Sequence, residues 1–321
     1  MKRNIILFFF LSTLVLFFGC TQEHKRTLKI GTNLWIGNEP LYLAARLNLL
    51  PEKKFKLIEF PSTTEVIRAF KTKSIDLASL TMDETISLIR DGFDIRALLV
   101  LDKSHGADAL VARSSIRNIS QLKGKKIGVE HTALGGYFLS LFLAKSGLTQ
   151  NDLKIVYMEI SKHEEAFKNK QVDAVITFEP ILTKIKNAGG TVLFDSKSLP
   201  GKIIDILIVN SEVLKTHPDE LKEIIQAWDQ STQYIIANLD KSAEFIGKRE
   251  NIKPEEYKKA LSGIRLIGAE ENQNLLGHPK ELKNILEELN QYMTKSQQLP
   301  VLDISRLFSI PSDWHMKRKG K

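Results

Sequence analysis

Cysteine is almost missing from this chain of 321 residues, in which Cys20 is the only one. A single cysteine cannot form an internal disulfide, and it cannot supply a multi-thiolate metal site. The Gly-x-Ser-x-Gly, P-loop and His-Glu-x-x-His patterns of common enzyme classes are also missing. His131 has no neighbouring His, Cys or pair of acids, so it is a poor candidate for a metal ligand. These absences argue against an enzyme and against a bound metal or other cofactor.

A concentrated basic face is lacking as well. The formal net charge is +8, or about +6 without Lys2 and Arg3, but acids are interspersed among the basic residues. Nucleic-acid-binding proteins usually cluster Lys and Arg on one face or along one helix. We therefore expect no nucleic-acid partner, and a surface that is solvated or lies against anionic lipid.

The N-terminus carries one apolar run, but it is short. Residues 5–18 are apolar apart from two hydroxyl side chains, and they follow the basic residues Lys2 and Arg3. This length suits the core of a signal peptide better than a permanent membrane-spanning helix. We predict a signal peptide over residues 1–19 and an extracytoplasmic location for the mature chain.

Cys20 ends this leader in a way that suggests lipid attachment. Gly19 precedes it, and the polar stretch 21–26 follows it. A small residue followed by cysteine resembles the bacterial lipobox, in which the cysteine is acylated, for example by palmitate, and becomes the new N-terminus. We predict that residues 20–26 tether the protein to a membrane. Two alternatives stay open: an ordinary signal peptide with an incidental cysteine, and a plain transmembrane anchor.

Beyond the leader, short apolar strands alternate with amphipathic helices. This alternation predicts an α/β fold with mainly parallel sheets that are flanked by helices. The predicted strands are 27–32, 55–60, 74–79, 95–101, 107–112, a strand ending at 129, 154–158, 172–177, 191–194 and 203–209. The predicted helices are 41–49, 63–72, 82–91, 135–146, 164–169, 218–238, 241–249, 254–262 and 279–294.

The strand–helix pattern starts a second time near residue 107, which predicts two lobes. The strands at 107–112 and 203–209 are the predicted crossover strands between the lobes. We predict that residues 27–108 and 208–321 form the first lobe and that residues 109–207 form the second.

Four segments carry a resemblance to a known family. They are Ile-Gly-Thr-Asn-Leu-Trp-Ile-Gly-Asn-Glu-Pro-Leu-Tyr-Leu-Ala at 30–44, Asp-Leu-Ala-Ser-Leu-Thr at 76–81, Leu-Lys-Gly-Lys-Lys-Ile-Gly-Val at 122–129 and Val-Asp-Ala-Val-Ile-Thr-Phe-Glu-Pro at 172–180. In this order and spacing they resemble the substrate-binding proteins of ABC importers, in the nitrate/sulfonate/taurine and thiamine-pyrimidine-binding group. The resemblance covers essentially the whole mature chain.

This resemblance implies a type II periplasmic-binding fold that closes its two lobes around a small molecule. It also implies an ABC permease and ATPase as partners, and we expect the protein to be a monomer. Ile36 stands where the family usually has a proline, and His131 where it often has a serine-rich loop. The identity of the ligand therefore stays open.

The general rule for open α/β sheets places ligands beyond the carboxyl ends of the strands. The rule selects the segments 33–39, 80–84, 130–136 and 178–180 and the two crossover strands. Trp35, in the loop after the first strand, is predicted to be an exposed stacking surface, with a lobe-core role as the alternative. Thr132 lies at a helix start, where it either donates to a ligand oxygen or only caps the helix.

The selected segments contain seven acids and no lysine or arginine. Uncompensated acids in a desolvated cleft disfavour an anion, so a cationic amine, a zwitterion or a nitrogen heterocycle fits better. Asp108 and Asp205 either contact this ligand or pair within the hinge, and Asp83 and Glu84 begin a helix whose dipole alone favours acids. The predicted ligand contacts are Asn33, Trp35, Glu39, Thr81, Asp83, Asp108, His131, Thr132, Glu179 and Asp205.

Two functional hypotheses follow from this sequence. The first is a lipid-anchored receptor that delivers a small polar nitrogen-containing or sulfonate-type ligand to an ABC importer. The second is a ligand-sensing lipoprotein of the same fold that reports to a membrane signalling partner. The sequence does not separate the two.

Overall fold

A computed structural model describes residues 26–131, 133–297, 302–311 and 314. Within these ranges the chain forms two β-sheets with helices on both faces of each. The α/β architecture predicted from the strand–helix alternation is therefore confirmed.

Several predictions about the N-terminus lie outside the described residues. They concern the signal peptide at 1–19, the lipid on Cys20 and nearly all of the tether at 20–26. Thr132 also lies outside the described residues. In the described ranges, no helix has both the length and the apolar character needed to cross a bilayer.

The first sheet contains six strands within the described residues. In spatial order they are Ile264–Leu266 (β11), Ile95–Ser104 (β4), Ile204–Asn210 (β10), Leu77–Thr81 (β3), Leu28–Thr32 (β1) and Phe55–Glu59 (β2). Strands β1, β2 and β3 are parallel, and β10 runs antiparallel to both β3 and β4. Strand β3 is buried along its whole length, as expected for a central strand that is covered on both faces.

The second sheet contains five strands within the same ranges. In spatial order they are Lys154–Tyr157 (β7), Lys126–Val129 (β6), Ala174–Phe178 (β8), Asp108–Arg113 (β5) and Gly190–Asp195 (β9). Strand β6 is parallel to β7 and β8, whereas β5 is antiparallel to β8 and β9. Each sheet is thus mixed: the second contains one reversed strand, β5, near its middle, and the first contains two, β10 near its middle and β11 at its edge.

Twelve α-helices cover these sheets in the described part of the chain. They are Glu39–Arg46 (α1), Thr63–Lys71 (α2), Met82–Arg90 (α3), Ala133–Ser146 (α4), His163–Lys168 (α5), Ile181–Asn187 (α6), Ser211–Thr216 (α7), Pro218–Ala237 (α8), Leu239–Glu250 (α9), Pro254–Leu261 (α10), Ala269–Gly277 (α11) and Lys280–Gln297 (α12).

Helix α2 shows why such segments become helical. Ser62 caps its start, since the serine side chain accepts a hydrogen bond from the backbone N–H of Glu65. Val66 and Phe70, four residues apart, lie on one face and are buried against the first sheet.

Four elements were not predicted from the sequence, namely α6, α7, α11 and β11. Each has nine residues or fewer. Segments this short contain too little of a helical or strand period to stand out from a loop. Helix α1 also starts earlier than predicted, at Glu39, with Pro40 in its first turn.

The two lobes are linked by short segments. The chain leaves β4 and enters β5 through residues 105–107, and it passes from β9 to β10 through residues 196–203. Strand β10 pairs with β3 and β4 from Ile204 onward, so residues 204–207, predicted in the second lobe, belong to the first sheet.

The inserted antiparallel strands bring acids to the edge where ligands bind. Because β5 runs against β8, its first residue, Asp108, lies opposite Phe178 at the carboxyl end of β8. In the same way Asp205, near the start of β10, lies between Thr81 at the end of β3 and Asp102 near the end of β4. An acid at the start of an antiparallel strand therefore lies at the carboxyl edge of its parallel neighbours.

Candidate functional site

A small cavity lies between the carboxyl edges of the two sheets. Its volume is about 10 Å³, which is roughly the room for one water-sized sphere. Residues of both lobes contribute to the wall. The described residues that line it are Asn33, Trp35, Thr63, Ser79, Leu80, Thr81, Glu84, Asp108, Leu134, Phe178 and Asp205.

Trp35 lines this cavity as a buried residue. Only 4 % of its surface is exposed, which corrects the prediction of an exposed stacking face. The indole Nε1–H donates to Asp102 Oδ2 over 3.0 Å. The ring packs edge-on against Phe178 of the second sheet, with ring centroids 5.6 Å apart. Trp35 thus joins the first lobe's buried acids to the second lobe's core.

Asp102 and Asp205 form a buried pair across neighbouring strands. Burial raises the pKa of Asp102 to about 7. The hydrogen bond from Trp35 opposes this rise, the charge of Asp108 adds to it, and the neighbouring Asp205 carboxyl group lowers the pKa slightly. Burial also raises the pKa of Asp205 well above its usual range, and the charges of Asp102 and Asp108 raise it further. Asp102 and Asp205 therefore titrate as a coupled pair, and burial favours the protonated form of both carboxyl groups.

Asp108 brings a carboxyl group from the second sheet to the same cavity. Burial raises its pKa to about 7, a hydrogen bond with Ser104 opposes this rise, and the charges of Asp83 and Glu179 add to it. Its Oδ2 atom is buried and has no hydrogen-bond partner in the described part of the chain. A buried acceptor of this kind is costly unless something donates to it.

Glu84 offers a second acceptor from the first lobe. Its Oε2 accepts a hydrogen bond from the backbone N–H of Thr81 over 3.1 Å, so this side chain also caps the start of α3. Its other oxygen, Oε1, is buried and has no partner among the described residues. Burial raises the pKa of Glu84 well above its usual range, and the charges of Asp83 and Glu130 raise it further.

No basic side chain balances these acids at the cavity wall. Among the described residues that line it, none is Lys, Arg or His. Within the described ranges, no group of three or more His, Cys, Asp or Glu side chains is arranged to hold a metal ion. Because burial raises the pKa of each acid in this lining, the wall offers carboxyl groups that accept hydrogen bonds and that donate them when protonated.

Five predicted contacts come together here: Asn33, Trp35, Thr81, Asp108 and Asp205. The structure places four others away from the lining, namely Glu39, Asp83, His131 and Glu179. Asp83 is fully enclosed beside Glu84, and burial raises its pKa to about 6. It therefore acts on the cavity through its charge.

Glu39 is held by Arg249, whose guanidinium donates to both carboxylate oxygens. Glu179 accepts hydrogen bonds from the backbone N–H and the hydroxyl of Thr183, at 2.9 and 3.0 Å. His131 is exposed and packs edge-on against Tyr157. In each case a local partner already engages the side chain.

The sequence reasoning missed several wall residues, among them Thr63, Ser79 and Leu134, and it missed Asp102 behind the wall. A signal for Asp102 was present, because it ends an apolar strand segment just as Asp205 interrupts one. Thr63 could also have been found, since it begins a predicted helix that directly follows a strand of the first sheet.

Glu130 makes a polar contact between the lobes. It follows β6 of the second sheet, and its Oε1 accepts a hydrogen bond from the backbone N–H of Thr63 at the start of α2, over 3.2 Å. Burial raises the pKa of Glu130 to about 7, and the charge of Glu159 adds to this rise. The backbone N–H groups of Thr63 and Thr64 oppose it.

Comparison with known families finds one match over more than half of the chain. Residues 40–242 match the family described as NMT1/THI5 like. This range includes all but the first residue of α1, the whole second sheet and four of the six strands of the first sheet.

Several proteins with similar sequences are named as binding proteins. Candidate binding proteins of Brucella abortus, Brucella suis and Brucella melitensis are 28% identical over 162 residues, 48% of this chain and 50% of each relative. The chain thus spans about half the length of these relatives. The taurine-binding periplasmic protein of Escherichia coli (strain K12) is 23% identical over 185 residues, 57% of this chain and 58% of that protein.

Solved structures share the fold over most of the chain. The alkanesulfonate-binding protein SsuA of Xanthomonas axonopodis pv. citri, bound to MOPS, matches with a TM-score of 0.71 at 18% identity, over 86% of this chain and 95% of that one. The ligand-binding component of an ABC-type import system of Staphylococcus aureus matches with a TM-score of 0.71 at 13% identity, over 91% and 98%. These likenesses confirm the predicted periplasmic-binding-protein fold.

Proposed function

Because this chain belongs to the NMT1/THI5-like family, we propose that it is an extracytoplasmic solute-binding protein that captures a small polar molecule and delivers it to an ABC importer. The observation that carries the proposal is the cavity between the lobes, whose wall contains buried carboxyl oxygens with no partner in the described residues. The names of the relatives, which are binding proteins, support a receptor over an enzyme.

Lobe closure is the proposed mechanism of capture. A cavity of about 10 Å³ is too small for a molecule larger than water, so a ligand enters only after the lobes separate. Bound between them, it stabilises a closed arrangement that is wide enough to hold it, by contacting Glu84 and Asp108 together.

The proposed ligand is a small polar nitrogen-containing or sulfonate-type molecule. The acids in the wall, without any lysine or arginine in the described lining, support a ligand with a protonated or N–H-bearing nitrogen. The taurine-binding and alkanesulfonate-binding relatives support a sulfonate-type molecule. Taurine carries both groups, which makes it an informative test molecule.

A lipid on Cys20 is the proposed means of anchoring. Arg26, the first described residue, is held against the first lobe by two hydrogen bonds to Asp76, of 2.7 and 2.8 Å. A tether at 20–26 would therefore leave the folded part of the protein at that point. Cys20→Ala should abolish incorporation of radiolabelled palmitate and release the protein from membranes; labelling that survives the substitution would contradict the anchor.

Thermal unfolding against a ligand panel tests the receptor. The panel contains amines, pyrimidines and taurine beside nitrate and alkanesulfonates, with the full-length lipoprotein purified in detergent. A ligand at about one hundred times its Kd adds roughly 2.7 kcal/mol and raises the midpoint by a few degrees. The shift should be lost in Asp108→Asn. If no molecule of the panel changes the thermal midpoint, the result would count against a transported solute and favour the ligand-sensing alternative. Retrieval of a signalling partner after crosslinking would test that alternative.

A further inference from the structure

Helix α2 begins at the cavity, and its first N–H groups point toward the second lobe. The helix has nine residues, and Thr63, its first residue, lines the cavity. The first N–H groups of a helix lack partners within the helix and carry partial positive charge, so they attract anions. In a receptor of this shape, the start of α2 is a ready position for an anionic group of a ligand.

Glu130 of the second lobe occupies that position. Its carboxylate accepts a hydrogen bond from the N–H of Thr63 over 3.2 Å, and the neighbouring backbone N–H of Thr64 also helps to lower its pKa. Ser62 already satisfies the N–H of Glu65. An anionic ligand group would therefore have to displace a carboxylate that is only 5 % exposed.

The surroundings make this displacement more costly. Two buried acceptors in the same cavity, Asp108 Oδ2 and Glu84 Oε1, have no hydrogen-bond partner among the described residues. The charge of Glu130 also acts on Glu84, whose pKa it raises. A ligand that brings hydrogen-bond donors satisfies these acceptors, whereas an anionic group meets the carboxylate of Glu130 at the start of α2 and leaves both acceptors without a donor.

We propose that Glu130 determines specificity: its carboxylate fills the anion position at the start of α2, so the cavity rejects sulfonate groups and accepts a protonated amine. This inference rests on the proposed receptor function and adds the class of ligand to it. Glu130 also contributes to closure, since the hydrogen bond that it accepts from the N–H of Thr63 joins the two lobes.

Binding of methanesulfonate to the full-length lipoprotein in detergent tests the proposal, by isothermal titration calorimetry at pH 8. Glu130→Gln removes the charge at nearly constant size, and Glu130→Ala also makes room. Glu159→Gln is the matched control, because Glu159 is an exposed glutamate whose charge reaches Glu130. Circular dichroism checks that each variant is folded.

Methanesulfonate should bind both Glu130 variants at least ten times more tightly than it binds the wild type, and Glu159→Gln should match the wild type within a factor of two. A gain in Glu130→Ala alone would overturn the proposal, since room and not charge would then be responsible. Affinities that are equal in all four proteins would also overturn it. If the wild type still binds an amine of the panel in that case, the receptor function stands. If neither the wild type nor any variant binds a panel member, the receptor function and the role of Glu130 both fail.

Discussion

At the scale of single residues, the loop after β1 approaches the buried acids very closely. Gly37 lies beside the hydrogen bond between Trp35 and Asp102, and a Cβ atom at this position would collide with both partners. The absence of a side chain is therefore what allows the tryptophan to reach the acid. This contact holds one wall of the cavity in place.

Gly37→Ala should separate Trp35 from Asp102 and leave a buried carboxyl group without its donor. We expect a loss of about 1 to 3 kcal/mol in the free energy of unfolding, measured with urea. Gly136→Ala is the control, because a Cβ there meets nothing within 4 Å and alanine favours a helix. A Gly37→Ala variant as stable as the wild type would show that the loop can move aside at little cost.

Arg249 contacts an acidic cluster at another place in the first lobe. It binds Glu39, Glu59 and Glu250, and its guanidinium carbon lies 3.7 Å from the centroid of the Tyr42 ring. Burial raises the pKa of Glu39 well above its usual range, and the hydrogen bonds from Arg249 oppose that rise. Glu39 therefore depends on Arg249 for its charge.

Arg249→Ala should cost about 3 to 5 kcal/mol of unfolding free energy, because it leaves a fully buried carboxylate without its partner. Lys248→Ala, at an exposed neighbouring position, should change the stability by less than about 0.5 kcal/mol. Chemical denaturation of both variants distinguishes the two positions. Equal stabilities would mean that Glu39 is protonated and needs no partner.

At the scale of secondary-structure elements, the inserted antiparallel strands decide what the cavity wall contains. Strands β5 and β10 start at the edge where their neighbours β8, β3 and β4 end. Their starts therefore face the cavity, together with the helix starts that follow the parallel strands. Asp108 and Asp205 reach the site for this reason.

Helix α2 provides a test at this scale, because its start contacts the other lobe. Ser62→Ala removes the side chain that accepts from the N–H of Glu65 and should cost about 0.5 to 2 kcal/mol of unfolding free energy. Ser62→Asp, which keeps an acceptor, should restore most of that loss. Urea titration measures both; a full loss in the aspartate variant would show that repulsion from Glu130 dominates at this position.

At the scale of the whole molecule, buried acids make the stability depend on pH. Burial raises the pKa of Asp102, Asp108 and Glu130 to about 7 in the folded protein. In the unfolded chain these groups titrate near pH 4. Above that pH the folded state binds more protons than the unfolded state, so these groups contribute stability at low pH that is lost as the pH rises toward 7.

The thermal midpoint should therefore fall by several degrees between pH 6 and pH 8 in the absence of ligand. His163, whose pKa burial lowers to about 4, would act in the opposite direction only below pH 6.5, where a free histidine becomes charged. Scanning calorimetry of the wild type and of Asp102→Asn/Asp108→Asn measures the slope, which should be smaller in the double variant. A midpoint that rises over this interval would contradict the assignment of raised pKa values.

The sequence by itself determined the α/β class, the two-lobed pattern and the edge of the sheets at which to look. These features depend on local periodicity and on a general rule of strand direction, so they are readable before any contact is known. The same reasoning selected Asn33, Thr81, Asp108 and Asp205, which line the cavity. Short elements such as β11 and α6 were not predicted, because they contain too few residues to show a repeating pattern of apolar side chains.

Tertiary structure alone decided which acids share the cavity and which have partners elsewhere. Glu39 meets Arg249, which follows it by 210 residues, and Glu130 meets Thr63 across 67 residues of chain. The tertiary structure likewise buries Trp35, whose indole N–H donates to Asp102. Pairings over such distances depend on how helices and sheets pack, and no local pattern encodes them. The charge of each acid at neutral pH follows from that packing, because burial and neighbouring charges set its pKa.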